Sequence, residues 1–163
     1  MASHWGFYIT REGQECFPWK YWIVEKNKRP GKGEYAAFRG KGIPNFRDGV
    51  VWVKKIIGQE GDFIAAREFA SSDTYLETVF LNGLPRDFQV RGQVHLYDRE
   101  GKLVTGFDVF ATDSKGNALP MAASGVIPGG KYYVMATAKR SYDSHYWGLL
   151  DEKNIIGKAH PLF

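Results

Sequence analysis

The sequence has little cysteine and no long apolar run. One cysteine among 163 residues excludes an internal disulfide, and it excludes any zinc site that needs two cysteines of this chain. The four histidines are far apart and lack metal-ligand spacing, so we predict no metal and no other cofactor. No stretch approaches the roughly 20 apolar residues that cross a bilayer as a helix. Two cases are therefore open: the protein is soluble, or an N-terminal membrane anchor lies outside this chain, which is the case we expect.

Charge of one sign is not concentrated anywhere. The net charge is +4, and the lysines and arginines are mixed with 18 acidic residues. A nucleic-acid binder usually gathers its positive charge on one helix or stripe, so we expect no nucleic-acid partner. A mild positive excess suits an anionic membrane surface equally well.

Helix-forming runs are also scarce, whereas aromatic residues make up 15% of the chain and glycines number 19. This mixture favours strands joined by turns, and we predict a single all-β domain, 1–163, with at most one or two short helices. Residues 68–130 are predicted to be an inserted β-rich subdomain, because short β-rich pieces alternate there with turns such as Asn82-Gly83. The other predicted strands are 19–24, 34–38, 50–57, 63–67 and 131–138.

Two residues are candidates for chemistry on or beside these strands. Cys16 precedes a proline-fixed turn that can hold a thiol in one orientation, as a nucleophile requires, although a lone cysteine is often only a small buried apolar residue. Lys54 and Lys55 point to opposite faces of a strand. The buried one would have a lowered pKa and could act as a general base, whereas lysines also commonly protect the edge of a sheet.

A third segment, 141–148, combines hydroxyls, a carboxylate and an imidazole in one loop. Ser141, Asp143 and His145 could orient a neighbouring base, but alone they make an ordinary polar turn. The three segments are weak evidence singly, and their order along the chain is more specific.

In that order the sequence resembles the type I signal peptidase superfamily. Segment 16–18 matches its nucleophile box, with cysteine in place of serine, and 33–38 matches the second box, with Glu34 for the usual aspartate. Segment 54–62 matches the lysine box, 80–85 the Asn-Gly hairpin, and 141–148 the late box, with His145 for the usual arginine. The shortened spacing before Ser141 and the ending at 156–159 resemble the conjugative-transfer (TraF-like) branch.

The resemblance implies a signal-peptidase-like β-fold and a set of roles. Cys16 would attack the scissile carbonyl, unprotonated Lys54 would take its proton, and Ser141 would aim the Lys54 amine. Asp143 would hold the late loop, and the amide of Gln14 would join the Cys16 N–H as an oxyanion donor. The implied substrate is an exported pilin or preprotein with small residues before the cut, which binds as an extended strand. It would be hydrolysed or cyclised for type IV secretion. The implied place is the periplasmic face of the bacterial inner membrane.

Cysteine changes the electrostatics, because a thiol ionises more easily than a serine hydroxyl. A resting thiolate–ammonium pair would leave no free amine to activate water. Such a pair would favour transfer to an amine nucleophile over hydrolysis.

Three other interpretations stay open at this point. In one, the chain is a cysteine–histidine protease with His145 as the base. In the next, it is a catalytically inactive relative that binds pilin or assists pilus assembly. In the last, it is an unrelated β-rich binding domain whose motif matches are accidental.

Overall fold

A computed structural model describes residues 4–10 and 16–162 of the chain. These residues are mostly β-strand, so the all-β fold class predicted above is confirmed. One short helix, α1 (Ser144–Trp147), lies in the late loop. The strands are β1 (Trp5–Ile9), β2 (Tyr21–Lys26), β3 (Tyr35–Arg39), β4 (Val51–Gly58), β5 (Phe63–Glu68), β6 (Tyr75–Leu81), β7 (Leu84–Tyr97), β8 (Leu103–Phe110), β9 (Gly125–Val126), β10 (Lys131–Met135), β11 (Leu150–Asp151) and β12 (Ile155–Pro161).

The chain forms two compact units. The first contains the residues up to Glu60, Ile127–Ser144 and the residues from Leu149 onward. Its antiparallel sheet has the order β1-β2-β12-β3-β4-β10-β11. The last long strand of the chain thus lies between two early ones, so residues distant in sequence share one sheet.

The longer strands β1 and β12 of this sheet were not predicted. Strand β1 is an edge strand whose residues alternate between exposed and half-buried, and β12 contains Gly157 and Pro161, which are uncommon in strands. Gly157 is needed where it stands, because a Cβ there would lie 2.1 Å from the Glu25 carbonyl oxygen. Close approach to β2 therefore explains a residue that lowers strand propensity.

The core of the first unit combines aliphatic and aromatic side chains and includes Phe17, one residue after the candidate nucleophile. The Phe17 ring lies 5.5 Å from Trp22 and 5.3 Å from Tyr35, both edge-on, and Cys16 packs against the same cluster. Edge-to-face pairs add stabilisation to simple burial. The core therefore anchors the segment that carries Cys16.

The second unit contains Gly61–Val126 and His145–Gly148. Its sheet has the order β6-β7-β5-β9, and β8 pairs with β7. Asn82 and Gly83 join β6 to β7 with φ values of 53° and 78°, as a type I′ hairpin turn requires. That 68–130 is an inserted subdomain stays a prediction.

Candidate active site

Lys54 is a buried cation in the first unit. It lies on β4 opposite Ala36 of β3, and it is 1% exposed, whereas Lys55 on the other face is half-buried. The Nζ atom of Lys54 donates to Ser141 Oγ at 2.6 Å and to Cys16 Sγ at 3.3 Å, and it lies 2.5 Å from Asp143 Oδ1. One amine thus meets a thiol, a hydroxyl and a carboxylate.

The surroundings of Lys54 oppose one another in their effect on its pKa. Burial is the largest influence and lowers the pKa, but Asp143, Cys16 and the hydrogen bonds to both together raise it above the ordinary value of 10.5. No single contact exceeds desolvation, but the two charges and two hydrogen bonds act on the same amine and together outweigh it. Burial does lower the Lys54 pKa, as expected from the sequence, but the contacts of the amine reverse the net direction, which favours the ammonium form.

The backbone carbonyl of Cys16 is held by a segment far along the chain. It accepts hydrogen bonds from the N–H groups of Thr137 and Ala138, at 3.2 and 3.1 Å, and from Thr137 Oγ1 at 3.2 Å. These bonds explain why β10 ends at Met135 rather than at Ala138 as predicted. After Met135 the backbone N–H groups leave the sheet: that of Ala136 donates to Asp143 Oδ2, and the next two donate to the Cys16 carbonyl.

The late loop supplies the buried acid. Asp143 Oδ1 accepts a 2.7 Å hydrogen bond from Ser141 Oγ, and Oδ2 accepts one of 3.0 Å from the Ala136 N–H. Both side chains are buried. Asp143 thus ties the late loop to the end of β10, while its other oxygen compensates the Lys54 charge. Ser144 adds a second tie, since its Oγ accepts from the Val134 N–H at 2.9 Å.

Tyr133 shows the electrostatic effect of this acid on its surroundings. Burial raises the pKa of the Tyr133 hydroxyl far above its ordinary value, and the Asp143 charge raises it further. Tyr133 therefore stays neutral at any physiological pH. The local negative charge belongs to Asp143 and is available to Lys54.

A cavity of about 170 Å³ lies beside these groups, within the first unit. Its walls are mainly aromatic and branched aliphatic side chains, with Arg140 as a second cation besides Lys54. The lining residues are Tyr8, Thr10, Cys16, Phe17, Phe46, Val50, Val51, Trp52, Val53, Lys54, Arg140, Ser141 and Tyr142. An apolar cavity with a few convergent polar groups is typical of a small-molecule or peptide site.

The family model for signal peptidase, peptidase S26, matches residues 15–163. The chain belongs to the signal peptidase S26 family. The match covers Lys54 and the three residues that contact its amine, so the cluster and the family assignment describe the same part of the chain.

Two relatives illustrate the breadth of this family. The conjugal transfer protein TraF of Agrobacterium fabrum is 36% identical over 74 residues, which cover 44% of this chain and 42% of that protein. Signal peptidase IB of Staphylococcus aureus (strain Mu50) is 33% identical over 109 residues, 66% of this chain and 50% of that protein. Each match thus covers half or less of the relative. The similarity agrees with the type I signal peptidase superfamily and its TraF-like branch.

The structure brings four of the predicted site residues of this S26 chain together: Cys16, Lys54, Ser141 and Asp143. Gln14, the predicted oxyanion donor, lies outside the described residues. His145 belongs to the second unit, where its ring stacks 4.9 Å from that of Phe107.

Sequence reasoning missed three features of the site: the direct Asp143–Lys54 ion pair, the Thr137 contacts and the place of Tyr8 in the cavity wall. The ion pair could have been predicted, because a lysine buried on a strand needs a compensating charge. Asp143 stands two residues from the serine already assigned to Lys54. The other two depend on contacts between distant segments, for which no local pattern exists.

Within the described residues 4–10 and 16–162, no group of three or more His, Cys, Asp or Glu side chains is arranged to hold a metal ion. No helix in that part of the chain is long and apolar enough to cross a membrane.

Proposed function

We propose that this chain is the catalytic part of a signal-peptidase-like endopeptidase in which Cys16 is the nucleophile and Lys54 moves the protons. The observation that carries the proposal is the 3.3 Å contact between Cys16 Sγ and a Lys54 amine that is otherwise enclosed by Ser141 and Asp143. Membership of the S26 family supports it.

In the first half of the reaction, the resting pair is a Cys16 thiolate and a Lys54 ammonium. The sulfur forms a bond to the scissile carbonyl carbon, and the C–N bond of the peptide breaks. Lys54 gives its proton to the leaving amine. A thioester on Cys16 and a neutral Lys54 amine remain, so the ammonium acts first as a general acid.

In the second half, neutral Lys54 takes a proton from the incoming nucleophile. Water gives hydrolysis, and an amine of the substrate gives a new peptide bond and hence cyclisation. The nucleophile's oxygen or nitrogen bonds to the carbonyl carbon, the C–S bond breaks, and the thiolate and ammonium return. A resting ammonium therefore does not block this half, because the first half leaves Lys54 unprotonated.

Ser141 and Asp143 position Lys54 for both halves. Ser141 Oγ accepts from the amine and donates to Asp143, so it restricts the directions in which the amine can point. Asp143 stabilises the ammonium between turnovers. The Cys16 N–H and the amide of Gln14 are the proposed oxyanion donors, a role in which each donor contributes about 10²–10³ in turnover.

The proposed substrate is an exported pilin or other precursor with small residues before the cut, processed for conjugative type IV secretion at the periplasmic face of the inner membrane. The similarity to the conjugal transfer protein TraF and to a signal peptidase supports this role. An apolar cavity beside Cys16 is compatible with small apolar side chains.

The test is turnover of an internally quenched peptide with alanine before the cut. Lys54→Met is expected to lower kcat/KM by about 10²–10⁴, the usual contribution of a general acid or base, and Cys16→Ala to abolish turnover. His145→Ala is the matched comparison and should retain activity. Loss of activity in His145→Ala with Lys54→Met active would show a cysteine–histidine protease instead. Tight peptide binding without turnover in the unmodified protein would show an inactive pilin-binding relative.

A further inference from the structure

Tyr8 lines the cavity of the candidate site, although no sequence motif includes it. It lies on β1, opposite Trp22 of β2, and its side chain is half-buried and lines the cavity beside Cys16. Its hydroxyl donates a 3.0 Å hydrogen bond to the backbone carbonyl of Val51, the first residue of β4.

The Val51 carbonyl points away from β3. Peptide groups along an antiparallel strand bond alternately to one neighbour and to the other, and the carbonyl of the preceding residue, Val50, is taken by the Gly40 N–H. Val51 and Val53 therefore present their peptide groups to the opposite edge of β4.

On that edge, the register of β10 begins only at Lys55, which pairs with Met135. Among the described strands, none pairs with Val51 or Val53 on this side, and both residues line the cavity. An extended peptide that adds to β4 next to Cys16 would use the Val53 peptide group first. It would reach Val51 one strand repeat further on, about 6.6 Å away.

We infer that Tyr8 ends the substrate groove: its hydroxyl occupies the Val51 carbonyl, so an extended substrate can pair with β4 at Val53 but not beyond it. This inference rests on the peptidase function proposed above and makes Tyr8 a specificity-determining residue. Because each further bond to β4 takes two more substrate residues, pairing at Val53 alone restricts backbone recognition to about three residues before the cut. Substrate residues further from the cut then make no backbone bond to β4.

The inference is tested with peptidyl chloromethyl ketones of two to six residues, each ending in alanine at the reactive carbonyl. The Cys16 thiolate displaces chloride and forms an S–CH₂ bond, and intact-mass spectrometry gives the second-order rate constant for each length. For the unmodified protein, the rate constant should stop rising at about three residues. For Tyr8→Phe, it should rise a further threefold to tenfold between three and five residues, the effect expected for about one added hydrogen bond.

Tyr21→Phe is the matched control, since Tyr21 lies on β2 stacked against Phe7 and is not part of the cavity wall. It should show the same plateau as the unmodified protein. An identical length dependence in the unmodified protein and Tyr8→Phe would overturn the inference, as would a continued rise in the unmodified protein.

The same experiment separates this inference from the function on which it rests. If no ketone labels Cys16 faster than iodoacetamide does, and Lys54→Met changes nothing, the peptidase proposal itself fails. If labelling depends on Lys54 but the length dependence ignores Tyr8, only the role of Tyr8 fails.

Discussion

Two lysine–aspartate ion pairs among the described residues of the first unit differ mainly in burial. Lys54 and Asp143 lie 2.5 Å apart with side chains 1% and 2% exposed, whereas Lys131 and Asp151 lie 2.8 Å apart with side chains 38% and 29% exposed. The residue types and the distances are nearly the same. Any difference in their contribution to stability must therefore come from their exposure to solvent.

Water screens the exposed pair and offers each group an alternative partner, so its contribution is small. The hydrogen bond from Lys131 is the first cause that lowers the pKa of Asp151, followed by that from the Lys153 N–H. In the buried pair, each charge is compensated mainly by the other, because water does not reach them. Removing one partner there leaves a charge that cannot be solvated, which is far more costly than the pair itself is stabilising.

The largest expected effect comes from Asp143→Asn, which keeps the shape and removes the charge. Burial of Lys54 would then be opposed chiefly by Cys16, so the Lys54 pKa should fall. The free energy of unfolding should drop by about 3 kcal/mol, measured by urea denaturation at neutral pH. Turnover should fall as well, since the amine loses its orienting partner.

The control for this prediction is Asp151→Asn, the same change in the exposed pair. The buried double replacement Lys54→Met with Asp143→Leu should recover most of the lost stability, because it removes both charges. Equal losses in Asp143→Asn and Asp151→Asn would contradict the role given to burial.

An intermediate effect is expected from alkaline pH. Because the folded-state pKa of Lys54 is raised above 10.5, the ion pair stabilises the fold fully below that ordinary value, and the contribution is lost as pH rises through the raised one. The free energy of unfolding of the unmodified protein should therefore fall above about pH 10.5 more steeply than that of Lys54→Met. Parallel curves for the two proteins in that range would contradict this assignment.

The smallest effect is expected from Lys131→Met in the exposed pair. Its melting temperature at neutral pH should change by less than about 2 °C, and peptide turnover should be unchanged. Because the pKa of Asp151 is lowered, its ionised carboxylate stabilises the fold above the ordinary value of 3.8. That stabilisation is lost as pH falls through the lowered pKa. A destabilisation as large as that of Asp143→Asn would erase the contrast between the pairs.

The sequence predicted the strands whose local signals agree. The apolar run around Lys54 corresponds to β4 within one residue at each end, and Asn82-Gly83 forms the predicted turn. Prediction was poorer where local signals conflict with tertiary pairing. Gly157 and Pro161 lower strand propensity in β12, yet β2 and β3 pair with that segment on both sides.

The same limit applies to the candidate site. Ordered motifs named Cys16, Lys54, Ser141 and Asp143, and the structure brings these four together. The protonation state of Lys54 could not be read from the motifs, because burial and an acid partner act in opposite directions. The structure shows that Asp143 and Cys16 both contact the amine and that together they raise its pKa.

By itself, the sequence determined the fold class, the family and the four residues to examine, because strand alternation, turn residues and ordered motifs are local properties of the chain. The tertiary structure alone decided that Asp143 meets the Lys54 amine, that Thr137 holds the Cys16 carbonyl, and that Tyr8 covers the Val51 carbonyl. Each of these depends on a distance between segments far apart in the chain, and electrostatic and hydrogen-bond energies are functions of that distance.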